Sequence, residues 1–339
     1  MVNDMTNDKR IFECFKKEDN DQLSSLKGLD LRDFLFYLES YYLELRNVIN
    51  LDMNDTFGIE IEFEHSNNTN IEKDIKYNWF LKFEGSLLSG GEVTSSTLFD
   101  SQKNWQDLKD VCSLIAANSQ PGELAGGHIH IGVPVLGCCY DSWLNFIKIW
   151  STYENVLFRF AYNEYLTERP SLLKYAPPIS KELWYSSLNQ SKDNCVGVDS
   201  CFKFYRFFDF LPKNRSQAVN FLNVENVYRS LDKNTIEFRC PNATLNPIIW
   251  QNNVNVFTKL LHCCKSNQMD LEKVLYRHNM IEDIQNDLYA YREVYLNQAL
   301  ELSDIIFNNN FDKIYFLKQY LKNFEVGNKT LVLAKKITM

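Results

Sequence analysis

A chain of 339 residues that is 45% hydrophobic and 14% aromatic can bury a large core, as one big domain or two. A net charge of −8 and a pI near 5.3 exclude a nucleic-acid binder that works through phosphate contacts, and no Lys/Arg-rich run rescues that role. The polar N-terminus carries no apolar leader and no apolar run reaches membrane-spanning length. Nine cysteines without a C-x-x-C read as reduced thiols, so a cytoplasmic protein with no membrane partner is expected.

Residues 1–50 read as an N-terminal helical segment, with Leu31, Phe34, Leu35 and Leu38 on one stripe. The stretch Thr56 to Glu64 follows, T-F-G-I-E-I-E-F-E. Side chains alternate across a strand, so Phe57, Ile59, Ile61 and Phe63 share one face and Glu60, Glu62 and Glu64 the other. Carboxylates two apart on one strand face sit about 7 Å from each other and repel unless a cation lies between them. The stretch is therefore a candidate metal platform, against the plainer reading of an amphipathic strand with its polar side in water.

A second strand is predicted over Trp79–Glu84, and the turn chemistry of G-S-L-L-S-G-G leads to a third at E-V-T-S-S. Such a hairpin brings Glu84 and Glu92 to one end of the sheet. Trp105, Leu108, Val111, Cys112 and Ile115 mark a crossing helix over 105–118. Then G-G-H-I-H-I-G, residues 126–132, places His128 and His130 on one strand face between glycines that permit close approach of a ligand.

A long helix is predicted from Trp143 to Phe160, a loop at P-S-L-L-K-Y-A-P-P, and a polar segment over 185–202. Two extended stretches follow, 214–224 and 234–241; in the second, Glu237 and Arg239 face one way and Ile236 and Phe238 the other. A helix is predicted over 248–264, and the chain from Leu271 to Phe324 reads as helical cover.

Four strands thus share one design, apolar on one side and carrying Glu60/Glu62, Glu84/Glu92, His128/His130 or Glu237/Arg239 on the other. Joined into one face, these residues repel each other strongly when bare. Carboxylates with a single imidazole suit Mg²⁺ or Mn²⁺, and Mg²⁺ commonly arrives with phosphates. An arginine among acidic ligands then makes sense as a partner for the β,γ-phosphates of ATP.

In this order, G-I-E-I-E-F-E, E-G-S…G-G-E-V-T-S, G-G-H-I-H-I-G and T-I-E-F-R-C-P-N…N-P resemble the amidoligases of the glutamine synthetase and glutamate–cysteine ligase superfamily. The resemblance spans residues 56–247. It implies an α+β fold, a curved antiparallel sheet forming an ATP and metal funnel covered by helices. The domain reading is 1–50 as the N-terminal helical segment, 51–264 as the catalytic domain and 265–339 as a C-terminal helical region packed on it.

Carried over motif by motif, Glu60, His128 and Glu237 hold the metal that bridges the ATP phosphates, and Glu62, Glu84 and Glu92 hold the metal nearer the carboxylate substrate. Arg239 contacts the transferred phosphoryl group, Arg215 is a candidate for a substrate carboxylate or phosphate, and His130 orients or ligates. The implied cofactors are ATP and Mg²⁺ or Mn²⁺, and the implied activity is ATP-dependent amide or isopeptide formation through an acyl phosphate. The partners are a carboxylate and an amine, drawn from small molecules, peptides or protein side chains, with the C-terminal helices available for homo-oligomer assembly. The alternatives are a guanidino-kinase-like phosphotransferase and a non-catalytic nucleotide- or metal-binding interaction protein.

Overall fold

The computed structural model describes residues 38, 41–87, 89–162, 169–190, 211–224, 233–265, 271–279 and 294–322, with the side chains of 186–190 outside that description. Leu31, Phe34 and Leu35, the polar segment from 191 to 202, and the chain beyond 322 lie outside the described residues.

Strands β1 (Phe57–Phe63), β2 (Trp79–Lys82), β3 (Gly91–Ser95), β4 (Gly127–Gly132), β5 (Val219–Asn220) and β6 (Thr235–Phe238) form one six-stranded sheet in the order β2-β3-β1-β4-β6-β5. Every neighbouring pair is antiparallel. The fold is thus mixed α and β around an open antiparallel sheet. The alternation read from the sequence sets its two faces. Phe57, Ile59, Ile61, Phe63, Val93, Ile129, Ile131, Ile236 and Phe238 are buried on one side.

Among the described residues the helices are α1 (Asn68–Asp74), α2 (Gln102–Asn118), α3 (Tyr140–Ala161), the single turn α4 (Leu172–Tyr175), α5 (Ser180–Gln190), α6 (Pro247–Lys265), α7 (Leu271–His278), α8 (Leu296–Ile306) and α9 (Asn310–Leu321). Of these α2, α3 and α6 cover the apolar side of the sheet. The five apolar positions that mark α2 are all buried, and Trp105 stacks on Phe57 at 4.9 Å between ring centroids. Phe257 of α6 stacks on Phe238 of β6 at 4.3 Å, with Trp150 of α3 5.6 Å from the same ring. Such aromatic contacts contribute beyond their area burial. Helix α8 packs on α9, and both pack on α3 and α6. Helix α6 can approach β4 because Gly127 has no side chain: a Cβ there would sit 2.1 Å from the Trp250 ring.

Three expectations change in detail. Residues 41–50 are not helical. Their backbone groups find partners elsewhere: Arg46 N–H donates to Gln251 Oε1, Gln251 Nε2 donates to Arg46 O, and Ile49 and Leu51 N–H donate to the Asp100 carboxylate. A strap bonded to side chains has no need of a helical ladder. The second strand ends at Lys82, which leaves Glu84 in the connecting turn. Within 214–224 only Val219 and Asn220 pair in the sheet, the rest being bends and turns.

Candidate active site

Register across the antiparallel ladder decides which polar side chains meet. One row of paired residues runs Lys82, Glu92, Glu62; the next runs Phe80, Thr94, Glu60, His128; a third runs Gly58, His130, Glu237, Asn220. Directly opposed residues on one face have their Cβ atoms about 5 Å apart. The rows therefore gather four carboxylates and two imidazoles on the face that the helices leave open.

His128 is the centre of the group. Its Nδ1 lies 2.6 Å from Glu60 Oε2 and 3.6 Å from Glu237 Oε1, and its Nε2 lies 3.6 Å from Glu62 Oε1. His130 Nε2 stands 3.1 Å from Glu60 Oε1 but off a hydrogen-bonding direction, so this buried nitrogen has no well-formed hydrogen bond. Asn220 Nδ2 donates to Glu237 Oε2 at 2.6 Å, and Arg239 Nη1 is bonded to Glu237 Oε1. The Gly126 amide donates to Glu62 Oε2 at 2.6 Å. Glu64, the third acid of β1, turns away: the Leu124 amide donates to its Oε2, and its backbone pairs with Gln120.

Charge is poorly matched here. Among the described residues neither Glu60 nor Glu62 has a Lys or Arg within 4 Å, and Lys82, half exposed, stands 3.6 Å from Glu92. Burial works to raise the Glu60 pKa, but His128 and His130 outweigh it and hold this carboxyl well below the usual range. The same opposition, with Arg239 added to the two histidines, leaves Glu237 lowered. Burial raises Glu92, and the Glu60 charge adds to the effect. Burial works to lower His128, yet the Glu60 hydrogen bond turns the net shift upward.

The ligand atoms of Glu60, His128 and Glu237 lie within 4.8 Å of one another, as do those of Glu62, Glu92 and His128. Both sets combine hard carboxylate oxygens with one imidazole, a donor chemistry that fits Mg²⁺ or Mn²⁺. The orphaned His130 nitrogen beside the first set points the same way. Glu84 is outside both sets; Ser86 N–H and Oγ–H donate to its Oε1 at 3.1 and 2.8 Å. It nevertheless lines the same cavity, of about 230 Å³, as Glu62, Glu92, His128, Arg215 and Arg239.

Two residues of this cavity and its rim carry no signal in the sequence reading. Arg169 lines the cavity from the turn before α4, and Asn220 buttresses Glu237 from a strand of two residues. Neither position belongs to a periodic pattern. Only the spatial register reveals them.

No curated protein matches the sequence. Among solved structures, a bifunctional glutathione synthetase from Pasteurella multocida matches with 11% identity and a TM-score of 0.41, over 91% of this chain and 50% of that one. The chain thus spans about half the length of that protein. The profile of the family described as "Putative amidoligase enzyme" matches residues 90–261, just over half of the chain and the stretch that holds Glu92, His128, His130, Glu237 and Arg239. The chain belongs to the family described as "Putative amidoligase enzyme".

Proposed function

We propose that the protein is an ATP-dependent carboxylate–amine ligase that works through an acyl phosphate, with the open face of the sheet as a glutamine synthetase-like funnel for ATP and divalent metals. The observation that carries this reading is the pair of ligand sets centred on His128, in a face where, among the described residues, Glu60 and Glu62 have no Lys or Arg within 4 Å. A bare face of this kind is electrostatically unfavourable, and divalent metal ions would supply the missing positive charge.

In this reading Glu60, Glu237 and His128 hold one Mg²⁺ or Mn²⁺, and Glu62 and Glu92 hold a second, with Glu84 at the cavity edge. Bound there, the metals neutralise the charge that builds up when an anionic carboxylate attacks an anionic phosphate. Arg239, fixed by Glu237 and by its Nε–H contact to Tyr175 O, is aimed at the phosphoryl group in transfer. The amine then displaces phosphate from the acyl phosphate and leaves the amide. Asn220 and the Gly126 amide keep Glu237 and Glu62 oriented. The domain limits 51–264 and a cytoplasmic location belong to this proposal. Among the described residues no helix is long and apolar enough to cross a membrane.

The test is calorimetric titration with a non-hydrolysable ATP analogue, with and without Mg²⁺, on the wild type and on Glu237→Ala. Binding should require the metal and be lost in the variant. Once a substrate pair is found by ADP release, Arg239→Ala should lower turnover by about 10²–10³. Metal-independent binding, or none in the wild type, overturns the reading.

A further inference from the structure

A separate cluster of metal-ligating groups lies outside the cavity, where the strap that leads into β1 meets the last turn of α6. It consists of Asp52 and Asp55 on the strap and His262 on the helix, and none of the three lines the cavity. Their ligand atoms lie within 4.8 Å of one another. His262 Nε2 is 2.7 Å from Asp55 Oδ2 and 3.9 Å from Asp52 Oδ2.

A hydrogen bond that tethers the strap to α6 needs only His262 and Asp55. The chain nevertheless holds a second acid beside them: Asp55 N–H donates to Asp52 O, and Asp52 N–H donates to Asp55 Oδ2, each at 2.9 Å. Among the described residues no Lys or Arg lies within 4 Å of either carboxylate. Asp55 is only 4% exposed. Its Oδ2 takes both hydrogen bonds, and its Oδ1 has no hydrogen-bond partner among the described residues. A buried carboxylate with an unfilled oxygen and a like charge at its side is costly unless a cation joins them.

The geometry suits one ion. Two ligand atoms about 2.1 Å from a metal and at right angles around it are about 3 Å apart, close to the 2.7 Å between His262 Nε2 and Asp55 Oδ2. The longer 3.9 Å gap closes by rotation of Asp52, whose side chain is 81% exposed. The C-terminal end of α6 also favours positive charge on His262. We propose that Asp52, Asp55 and His262 bind a divalent transition-metal ion, such as Mn²⁺ or Zn²⁺, which clamps the strap to α6. One imidazole and two carboxylates suit such an ion, with water completing its shell. The ion replaces the proton of the hydrogen bond between His262 and Asp55, and that proton passes to solvent. This site is independent of the ligase reading.

The experiment counts bound Mn²⁺ by electron paramagnetic resonance in the wild type, in Asp52→Asn and in His262→Gln. Each variant should bind one ion fewer, or bind that ion at least about tenfold more weakly, since even a lost supporting contact costs about 10–100-fold in metal affinity. Mn²⁺ should also raise the urea unfolding midpoint of the wild type by more than that of Asp52→Asn. Neither variant should change the binding of the ATP analogue at the open face.

An unchanged Mn²⁺ count and affinity in Asp52→Asn overturns the site, as does a wild type that binds no Mn²⁺. A plain His–Asp tether predicts a different pattern: His262→Gln would lose the same stability with and without Mn²⁺, and Asp52→Asn would be silent. Asp52 is exposed, so its variant decides the matter even where changes at His262 prevent folding. Failure of the wild type to bind the ATP analogue would count against the ligase reading and leave this site standing.

Discussion

Carboxylates are buried on both sides of the sheet, and the two sides provide for them differently. In the helical layer, Asp312 in the first turn of α9 accepts from Arg46 Nη1 and Lys259 Nζ, each at 2.6 Å, and from Asn255 and Asn309 Nδ2 at 2.9 and 2.7 Å. One acid there has two cations and its oxygens are filled. On the open face, Glu60, Glu62, Glu92 and Glu237 share Arg239, a half-exposed Lys82 and two histidines, with Arg169 near Glu62 but forming no ion pair among the described residues. A buried charge is tolerated when its partners are supplied. The first region supplies them from the chain, whereas in the second neither Glu60 nor Glu62 has a Lys or Arg within 4 Å among the described residues. That contrast separates a structural ion cluster from the site proposed to take up cations.

Breaking the structural cluster should give the largest change in stability. Asp312→Asn leaves Arg46 and Lys259 as buried positive groups and should reduce unfolding free energy by about 3–5 kcal/mol, read from urea unfolding. Metal-dependent nucleotide binding at 25 °C should be unchanged. The pH dependence has a defined sign. Burial works to raise the Asp312 pKa, but Lys259 and Arg46 outweigh it, so the folded value lies below the ordinary 3.8. The stabilisation is therefore complete above the unfolded-state pKa and fades as pH falls through the lowered one. The gap between wild type and variant should close only in that acid window, and a constant gap there would show that Asp312 acts by packing alone.

The open face should respond in metal affinity and hold its stability. Asn220→Ala removes the 2.6 Å hydrogen bond that orients Glu237. Loss of such a supporting contact commonly weakens metal binding by about 10–100-fold. Titration with Mn²⁺ followed by electron paramagnetic resonance would read this directly. An unchanged Mn²⁺ affinity would remove Glu237 from the ligand set.

Much of this site could be read from alternation alone. The period of two in β1, β4 and β6 puts Glu60, Glu62, His128, His130 and Glu237 on one face, because a buried apolar face fixes which way every second side chain points. The helices α2, α3 and α6 were legible for the same reason at a period near four residues. Contacts made by backbone in irregular segments were not. The strap 41–50 reads as a helix continuation because its hydrogen bonds go to Gln251 and Asp100, which lie far away in sequence. Arg169 follows the same logic: its partners are the carbonyls of Arg239 and Pro241, and no local pattern records them. Glu84 shows the limit of a spacing argument, since a strand that stops two residues early moves its carboxylate from the sheet to a turn.

Lys82 offers the smallest and sharpest probe of the contrast. Among the described residues it is the one Lys or Arg within 4 Å of Glu92, at 3.6 Å, with its side chain 50% exposed. If the open face were a structural ion cluster like that of Asp312, removing this lysine would destabilise the fold. If Glu92 instead awaits a metal, Lys82 is a solvent-screened neighbour, and exposed pairs of this kind contribute about 0–1 kcal/mol. Lys82→Met should therefore leave the unfolding midpoint almost unchanged and alter Mn²⁺ affinity by no more than about fivefold, the upper end of that range. Glu92 is already raised by burial and by Glu60, with His128 and Lys82 opposing. Without the lysine it holds its proton to a slightly higher pH, so any loss of metal affinity should be greatest in mild acid and absent in weak base. A large drop in stability would place Glu92 with Asp312 among the structural acids.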